Sequence, residues 1–254
     1  MVVPSLPPRN WFDGGGHAYA HFRPKYPAEL ASALASLAPA RRLAIDVGCG
    51  NGQFSTVLAD HFEGVLAVDP SDDQLAHAAA HGRVHYAAAS ASGLPAEAAS
   101  ADLVTAAQAA HWFDLPAFYD EVRRVSAPCA VVALIAYGVP SLPADLEARF
   151  QRFYSHELEP FWPPERRLVD RGYADLAFPF EELAPPKLEL RVTWSMAEWL
   201  GYVATWSAAR NARESGHRDL LERFAADVET DWGRPEERRP VAWPLHMRLG
   251  RVAG

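Results

Sequence analysis

Leu43-Ala44-Ile45-Asp46-Val47-Gly48-Cys49-Gly50-Asn51-Gly52-Gln53 is the stretch on which the fold turns. Leu43 to Val47 is short, apolar and rich in branched side chains, which predicts a buried strand. Glycines follow at alternate positions, 48, 50 and 52, and then Phe54, Val57, Leu58 and Phe62 share one helix face. A strand that opens into glycines and resumes as a helix predicts bare backbone N–H groups at a helix N-terminus. Without Cβ atoms such a turn lets a ligand lie against the main chain.

The residue types around the turn narrow that ligand. A dinucleotide turn wants G-x-G-x-x-G, whereas here the third glycine comes one residue early and position 53 is Gln. Asp46, still within the strand, would repel a pyrophosphate but suits a ligand carrying an ammonium group. The next apolar run, Val65-Leu66-Ala67-Val68, ends at Asp69, the place of an acid that holds ribose hydroxyls. One acid for a ribose and another near a cation fit a nucleoside bearing an amino acid. A glycine turn without a ligand is the plain alternative.

This pattern resembles motif I of class I S-adenosylmethionine-dependent methyltransferases of the type 11 group, D-x-G-x-G-x-G followed by an acidic end to the second strand. Two further segments resemble one bacterial and fungal subgroup of that family, which includes trans-aconitate methyltransferase. Tyr19 to Pro27 is similar to its Y-x-x-x-R-P-x-Y-P segment, and Gln108-Ala109-Ala110-His111-Trp112-Phe113-Asp114 to its Q-A-x-H-W-F-D motif. The resemblance runs from about residue 11 to 250. It implies S-adenosyl-L-methionine as cofactor, S-adenosyl-L-homocysteine as product, and cofactor contacts at Tyr19, Arg23, Asp46, Gly48, Cys49, Gly50, Gln53, Asp69, Pro70, Ser90, Ala91, Gln108 and Ala109. Arg23 is then a partner for the cofactor carboxylate, or else a solvated arginine before a proline turn. Ser90 and Ser92 stand where the family's x-D-A-E-x-L-P loop has Asp and Glu, so an adenine contact there loses its charge.

A doubly wound α/β fold follows, Rossmann-like, with seven mostly parallel strands in the order 3-2-1-4-5-7-6 and strand 7 antiparallel. We read strands at Leu43–Val47, Val65–Asp69, Val84–Ala88, Ala101–Ala107, Ala130–Tyr137, Leu188–Val192 and Val241–Leu249. Pro244 cannot donate to a ladder, so a bulge or late start is expected there. Ser71-x-x-Gln74 and Ser195-x-x-Glu198 have capping-box spacing and predict helices from 71 to about 81 and from 195 through Trp206. The proline- and aromatic-rich residues 139–186 read as an inserted cap, and 11–27 as an N-terminal lid, within one domain of residues 1–254.

The chain has 254 residues, is 49% hydrophobic and carries a net charge of −8, with no lysine or arginine run dense enough to neutralise phosphates. Nucleic acid is therefore not an expected partner. Neither is a membrane, since no apolar stretch has spanning length. With two cysteines, Cys49 in the turn and Cys129 at a buried strand edge, no disulfide and a cytoplasmic location are expected. His77, His81 and His85 are four apart, but Gly82 should end the helix between them, so no metal site is expected. A monomer or homodimer is expected.

Methyl transfer from a sulfonium needs alignment and exclusion of water, which positioning can supply to about 7–11 kcal/mol. Strands 1 and 4 flank the point where connections reverse, so His111 belongs beside the methyl group, as a general base or as a residue that orients the acceptor. Trp112, Trp206 and Arg210 are candidate substrate contacts, Arg210 alternatively a surface arginine. The acceptor is a small molecule, a carboxylic acid among the candidates. A protein that binds S-adenosylmethionine or S-adenosylhomocysteine without transferase activity is the alternative.

Overall fold

Apolar runs bounded by turn residues form the frame. The computed structural model describes residues 23–253, so Tyr19 and most of the segment read as a lid lie outside the described residues. The first half of the chain alternates α1 (Ala28–Leu37), β1 (Leu43–Val47), α2 (Gln53–Leu58), β2 (Gly64–Asp69), α3 (Asp72–Ala76), β3 (Val84–Ala88), β4 (Ala101–Ala107), α4 (Leu115–Val125) and β5 (Ser126–Tyr137). The second half adds α5 (Ala144–Arg152), α6 (Arg166–Asp170), β6 (Glu181–Glu182), β7 (Glu189–Trp194), α7 (Met196–Ala204), α8 (Ser207–Glu214), α9 (Arg218–Asp231) and β8 (Arg239–Arg251). Among the described residues no helix is long and apolar enough to cross a membrane.

The chain divides into two compact units. One comprises residues 25–139, 165–190 and 243–254 and holds the sheet. Its strands run β3-β2-β1-β4-β5-β8-β6, with β7 also paired to β8. β1 to β5 are parallel, whereas β8 runs antiparallel to β5 from Val131↔Arg251 to Tyr137↔Leu245. The predicted order is thus present, with the two-residue β6 as an additional edge. β1, β2 and β4 are buried almost throughout, as central parallel strands covered on both faces must be. Ile45, Val47, Val68, Val104, Val132 and Leu134 meet Phe118 and Val122 of α4 in the core. Asp114 caps α4, its Oδ1 accepting the Ala117 N–H at 3.4 Å, and Pro116 lies in the first turn.

The other unit comprises residues 140–164 and 191–242, with residues 23–24. Its centre is aromatic: Phe150, Tyr154, Trp162, Trp199 and Tyr202 surround Trp206 with ring centroids 5.5–6.3 Å away. Phe153 stacks on Phe224 at 3.7 Å. The Ser195 capping box is formed in full, with the Ser195 N–H donating to Glu198 Oε2 at 2.7 Å and the Glu198 N–H to Ser195 Oγ at 3.4 Å.

Several boundaries differ from expectation. The helix predicted over 71–81 stops at Ala76, with His77 as its C-cap; Ser71 caps its start as read. The helix from 195 ends at Ala204, and Trp206 caps α8 instead. β5 begins at Ser126, directly after α4, and Cys129 is exposed rather than buried. β8 passes through Pro244 without a break, because the ring lies at an exposed position beyond the last β5 pair, where its carbonyl accepts the Gly138 N–H at 3.4 Å.

Candidate functional site

At the switch point, where neighbours of β1 and β4 diverge, the turn after β1 supplies the floor. Gly48, Gly50 and Gly52 all have left-handed φ, +71°, +56° and +81°. Two of them are required by the protein itself. A Cβ on Gly48 would lie 2.5 Å from Ala109 Cβ, and one on Gly52 would lie 2.0 Å from the Tyr86 hydroxyl. Gly50 is different: a Cβ there would meet only Gln74 Oε1, at an ordinary contact distance of 3.7 Å, so the protein itself does not crowd this glycine.

Three backbone N–H groups at the start of the turn are already engaged within the protein. Those of Gly48 and Cys49 both donate to the Val68 carbonyl, at 2.8 and 3.0 Å. The Gly50 N–H donates to Asp69 Oδ2 at 2.8 Å, and the Ser71 N–H to Asp69 Oδ1 at 2.9 Å. A phosphate would find these donors spent and two carboxylates beside it. Each oxygen of Asp69 keeps a further lone-pair site, the number a vicinal diol needs.

Asp46 lies beneath the floor. It is 1% exposed, its Oδ2 accepting from Ser55 Oγ at 2.6 Å and its Oδ1 from Thr105 Oγ1 at 2.9 Å. Burial pushes its pKa up to about 6, against the pull of the two hydroxyls and with a further push from Asp69. Burial, with Asp46 and Asp69, also pushes the Cys49 thiol far up, so Cys49 is a thiol and not a nucleophilic thiolate.

The other walls come from the ends of β3 and β4. The Ala89 N–H donates to the Asp69 carbonyl at 3.2 Å, which draws the 89–92 loop to the end of β2. There Ser90 is exposed, with its Oγ 3.2 Å from Ser92 Oγ, and Ala91 is half-buried; Pro70 next to Asp69 is exposed. After β4, Gln108 takes a left-handed φ of +56° and its Nε2 donates to the Tyr137 carbonyl at 2.9 Å. Ala109 packs on Gly48, and one turn of 3₁₀ helix carries His111 and Trp112. Trp112 is 62% exposed, with its ring centroid 4.7 Å from that of His111.

His111 Nδ1 lies 2.9 Å from the Tyr173 hydroxyl, a partner the sequence reading missed. Nothing in the spacing of residues 111 and 173 signals that pairing; only the Gly172-Tyr173 pair after α6 marks an unusual backbone. Burial and the Arg166 cation lower the His111 pKa to about 4. Gln53 begins α2 beside the turn. The structure thus brings together residues 46–53, 69–70, 90–91 and 108–112. Arg23, Trp206 and Arg210 belong to the other unit. There Arg23 lies over the Tyr202 ring at 5.7 Å, Trp206 is 4% exposed among aromatic rings, and Arg210 is exposed.

Comparison with known proteins gives one direction. A family described as a methyltransferase domain matches residues 45–134. A Dictyostelium discoideum protein named as a methyltransferase is 33% identical over 228 residues, 87% of each chain. A structure from Anaeromyxobacter dehalogenans, described as a type II methyltransferase, has 46% identity and a TM-score of 0.84, covering 91% of this chain and 98% of that one. A malonyl-[acyl-carrier protein] O-methyltransferase from Enterobacter lignolyticus is 34% identical over 134 residues, 50% of this chain and 53% of its own.

Proposed function

The chain belongs to the methyltransferase family, and from that premise we propose that it transfers a methyl group from S-adenosyl-L-methionine to a small molecule. The observation that carries the reading is the pairing of the Asp69 carboxylate with the N–H of Gly50, the one glycine of the turn that the protein itself does not crowd. A nucleoside with a ribose diol and no phosphate suits those groups. When bound, the cofactor supplies a methyl on a positively charged sulfur, transferred in line to the acceptor.

The protein's own residues do the rest. Asp69 accepts hydrogen bonds from the two ribose hydroxyls, its carboxylate held in place by two backbone N–H groups. Gly50 lets the ligand approach the main chain. Ser90 and Ala91 meet the base, with a neutral hydroxyl in place of a carboxylate. Asp46 contributes a buried negative charge beneath the turn, its oxygens already committed to Ser55 and Thr105. Ala109 and Gln108 fix the β4 loop against Gly48, so that His111 and Trp112 face the acceptor. A carboxylic acid acceptor, as in the trans-aconitate subgroup that the Gln108–Asp114 segment resembles, needs no deprotonation at neutral pH.

Isothermal titration with S-adenosylhomocysteine tests the reading. Wild type should bind, and Asp69→Ala should lose about 1–3 kcal/mol of affinity through missing charged hydrogen bonds. Gly50→Ala, whose Cβ meets no protein atom closer than 3.7 Å, should cost about 1–2 kcal/mol of stability through its left-handed φ, remain folded and lose binding at least tenfold. Binding unchanged in both variants would refute the site.

A further inference from the structure

We propose that Tyr173 is a positioning residue that holds His111 as the Nε2–H tautomer, so that His111 is a hydrogen-bond donor to the methyl acceptor and not a base. The inference rests on the reading of this site as a methyltransferase site and deepens it.

Tyr173 is fully buried, and among the described residues His111 Nδ1 is the acceptor within hydrogen-bonding reach of its hydroxyl. If Nδ1 carried a proton and donated, the tyrosine O–H would be a buried donor with no acceptor, an arrangement that costs more than the bond gains. The phenol proton therefore goes to Nδ1. A neutral imidazole with Nδ1 accepting has its single N–H at Nε2, and among the described residues Nε2 makes no hydrogen bond.

Three observations show that the arrangement is held rather than incidental. Tyr173 has a φ of +62°, an outlier for a bulky side chain, directly after Gly172 at +61°. The Tyr173 N–H donates to Leu168 O at 2.8 Å and the Gly172 N–H to Val169 O at 2.9 Å, so the end of α6 fixes the turn. A Cβ on Gly172 would lie 2.6 Å from His246 Cγ, so β8 packs it from the other side. Backbone strain of this kind persists where the surroundings over-determine it.

The groups that act on the ring are the Tyr173 hydroxyl and the Arg166 cation, itself paired with Asp170 at 2.8 Å. Neither favours an imidazolium, and burial disfavours it further. A neutral donor has two consequences. It cannot take a proton from a hydroxyl or ammonium acceptor through Nδ1, which is occupied, nor through Nε2, which is already protonated. It favours an acceptor that arrives with a free lone pair and negative charge, such as a carboxylate.

Long-range nitrogen–proton correlation spectra of the ¹⁵N-histidine-labelled full chain test this directly. His111 should show a pyridine-type Nδ1 and a pyrrole-type Nε2, unchanged between pH 5.5 and 8. In Tyr173→Phe the Nδ1–H form should rise from undetectable to a comparable population, with S-adenosylhomocysteine affinity within twofold of wild type. Propionate should shift the Nε2 signal and propylamine should not. A protonated Nδ1 or an imidazolium in wild type overturns the proposal, whether or not the variant folds. A response to propylamine alone, or to neither probe, overturns the acceptor class. Failure of the wild type to bind S-adenosylhomocysteine would sink the parent reading while leaving the tautomer measurement intact.

Discussion

Asp46 is a buried carboxylate that the fold holds at a cost. Burial raises its pKa to about 6, above the roughly 3.9 of an unfolded chain. A raised carboxylate favours the folded state below the unfolded value, and that advantage fades as pH climbs through the folded one. Asp46→Asn removes the titration. Its stability relative to wild type should therefore rise between pH 4 and 7 by up to about 3 kcal/mol, read from urea melts at each pH. A flat difference would mean that Asp46 stays ionised throughout. Cys129 carries backbone strain, an exposed side chain at a left-handed φ of +63°. Relief of the left-handed penalty, less the backbone entropy of glycine, predicts that Cys129→Gly stabilises by about 0.5–1 kcal/mol in the same melts.

The elements were legible in proportion to how much of their burial came from their own residues. β1 and β4 match the apolar runs residue for residue, since branched side chains between turn residues leave few alternatives. α3 stops early because none of its residues is buried, so capping alone sustains it. The engagement of the Gly48, Cys49 and Gly50 N–H groups by Val68 and Asp69 was not legible, and the partners of Asp46 and His111 are too distant in sequence to leave a local pattern. One long-range staple is testable by itself. Asp102, buried at the start of β4, accepts from the Arg42 N–H at 2.9 Å and from its guanidinium at 2.8 Å, just before β1. Burial would raise the Asp102 pKa, yet the Arg42 contacts prevail and hold it below the usual range. The pair stabilises above the unfolded pKa and is lost as pH falls through the folded one. Arg42→Ala should thus destabilise clearly at pH 7 and much less at pH 3; equal losses at both would show that the charge is irrelevant.

For the molecule as a whole, the matched family region ends at residue 134, but the sheet does not. β5 is buried from Ala130 through Tyr137, and among the described residues β8 alone pairs with its far side. A chain ended after Val139 should expose that edge and aggregate, although it retains Asp46, Asp69 and His111 themselves. Soluble, cofactor-binding protein from such a truncation would show that β8 is dispensable.

The antiparallel register from Val131↔Arg251 to Tyr137↔Leu245 also sets a timetable. At translation rates of about 5–20 residues per second, the ribosome needs on the order of ten seconds to make the roughly one hundred residues that separate these two strands. For that interval the nascent sheet waits with a sticky flank unfilled, so the growing polypeptide is a natural client for holding chaperones until its closing strand emerges.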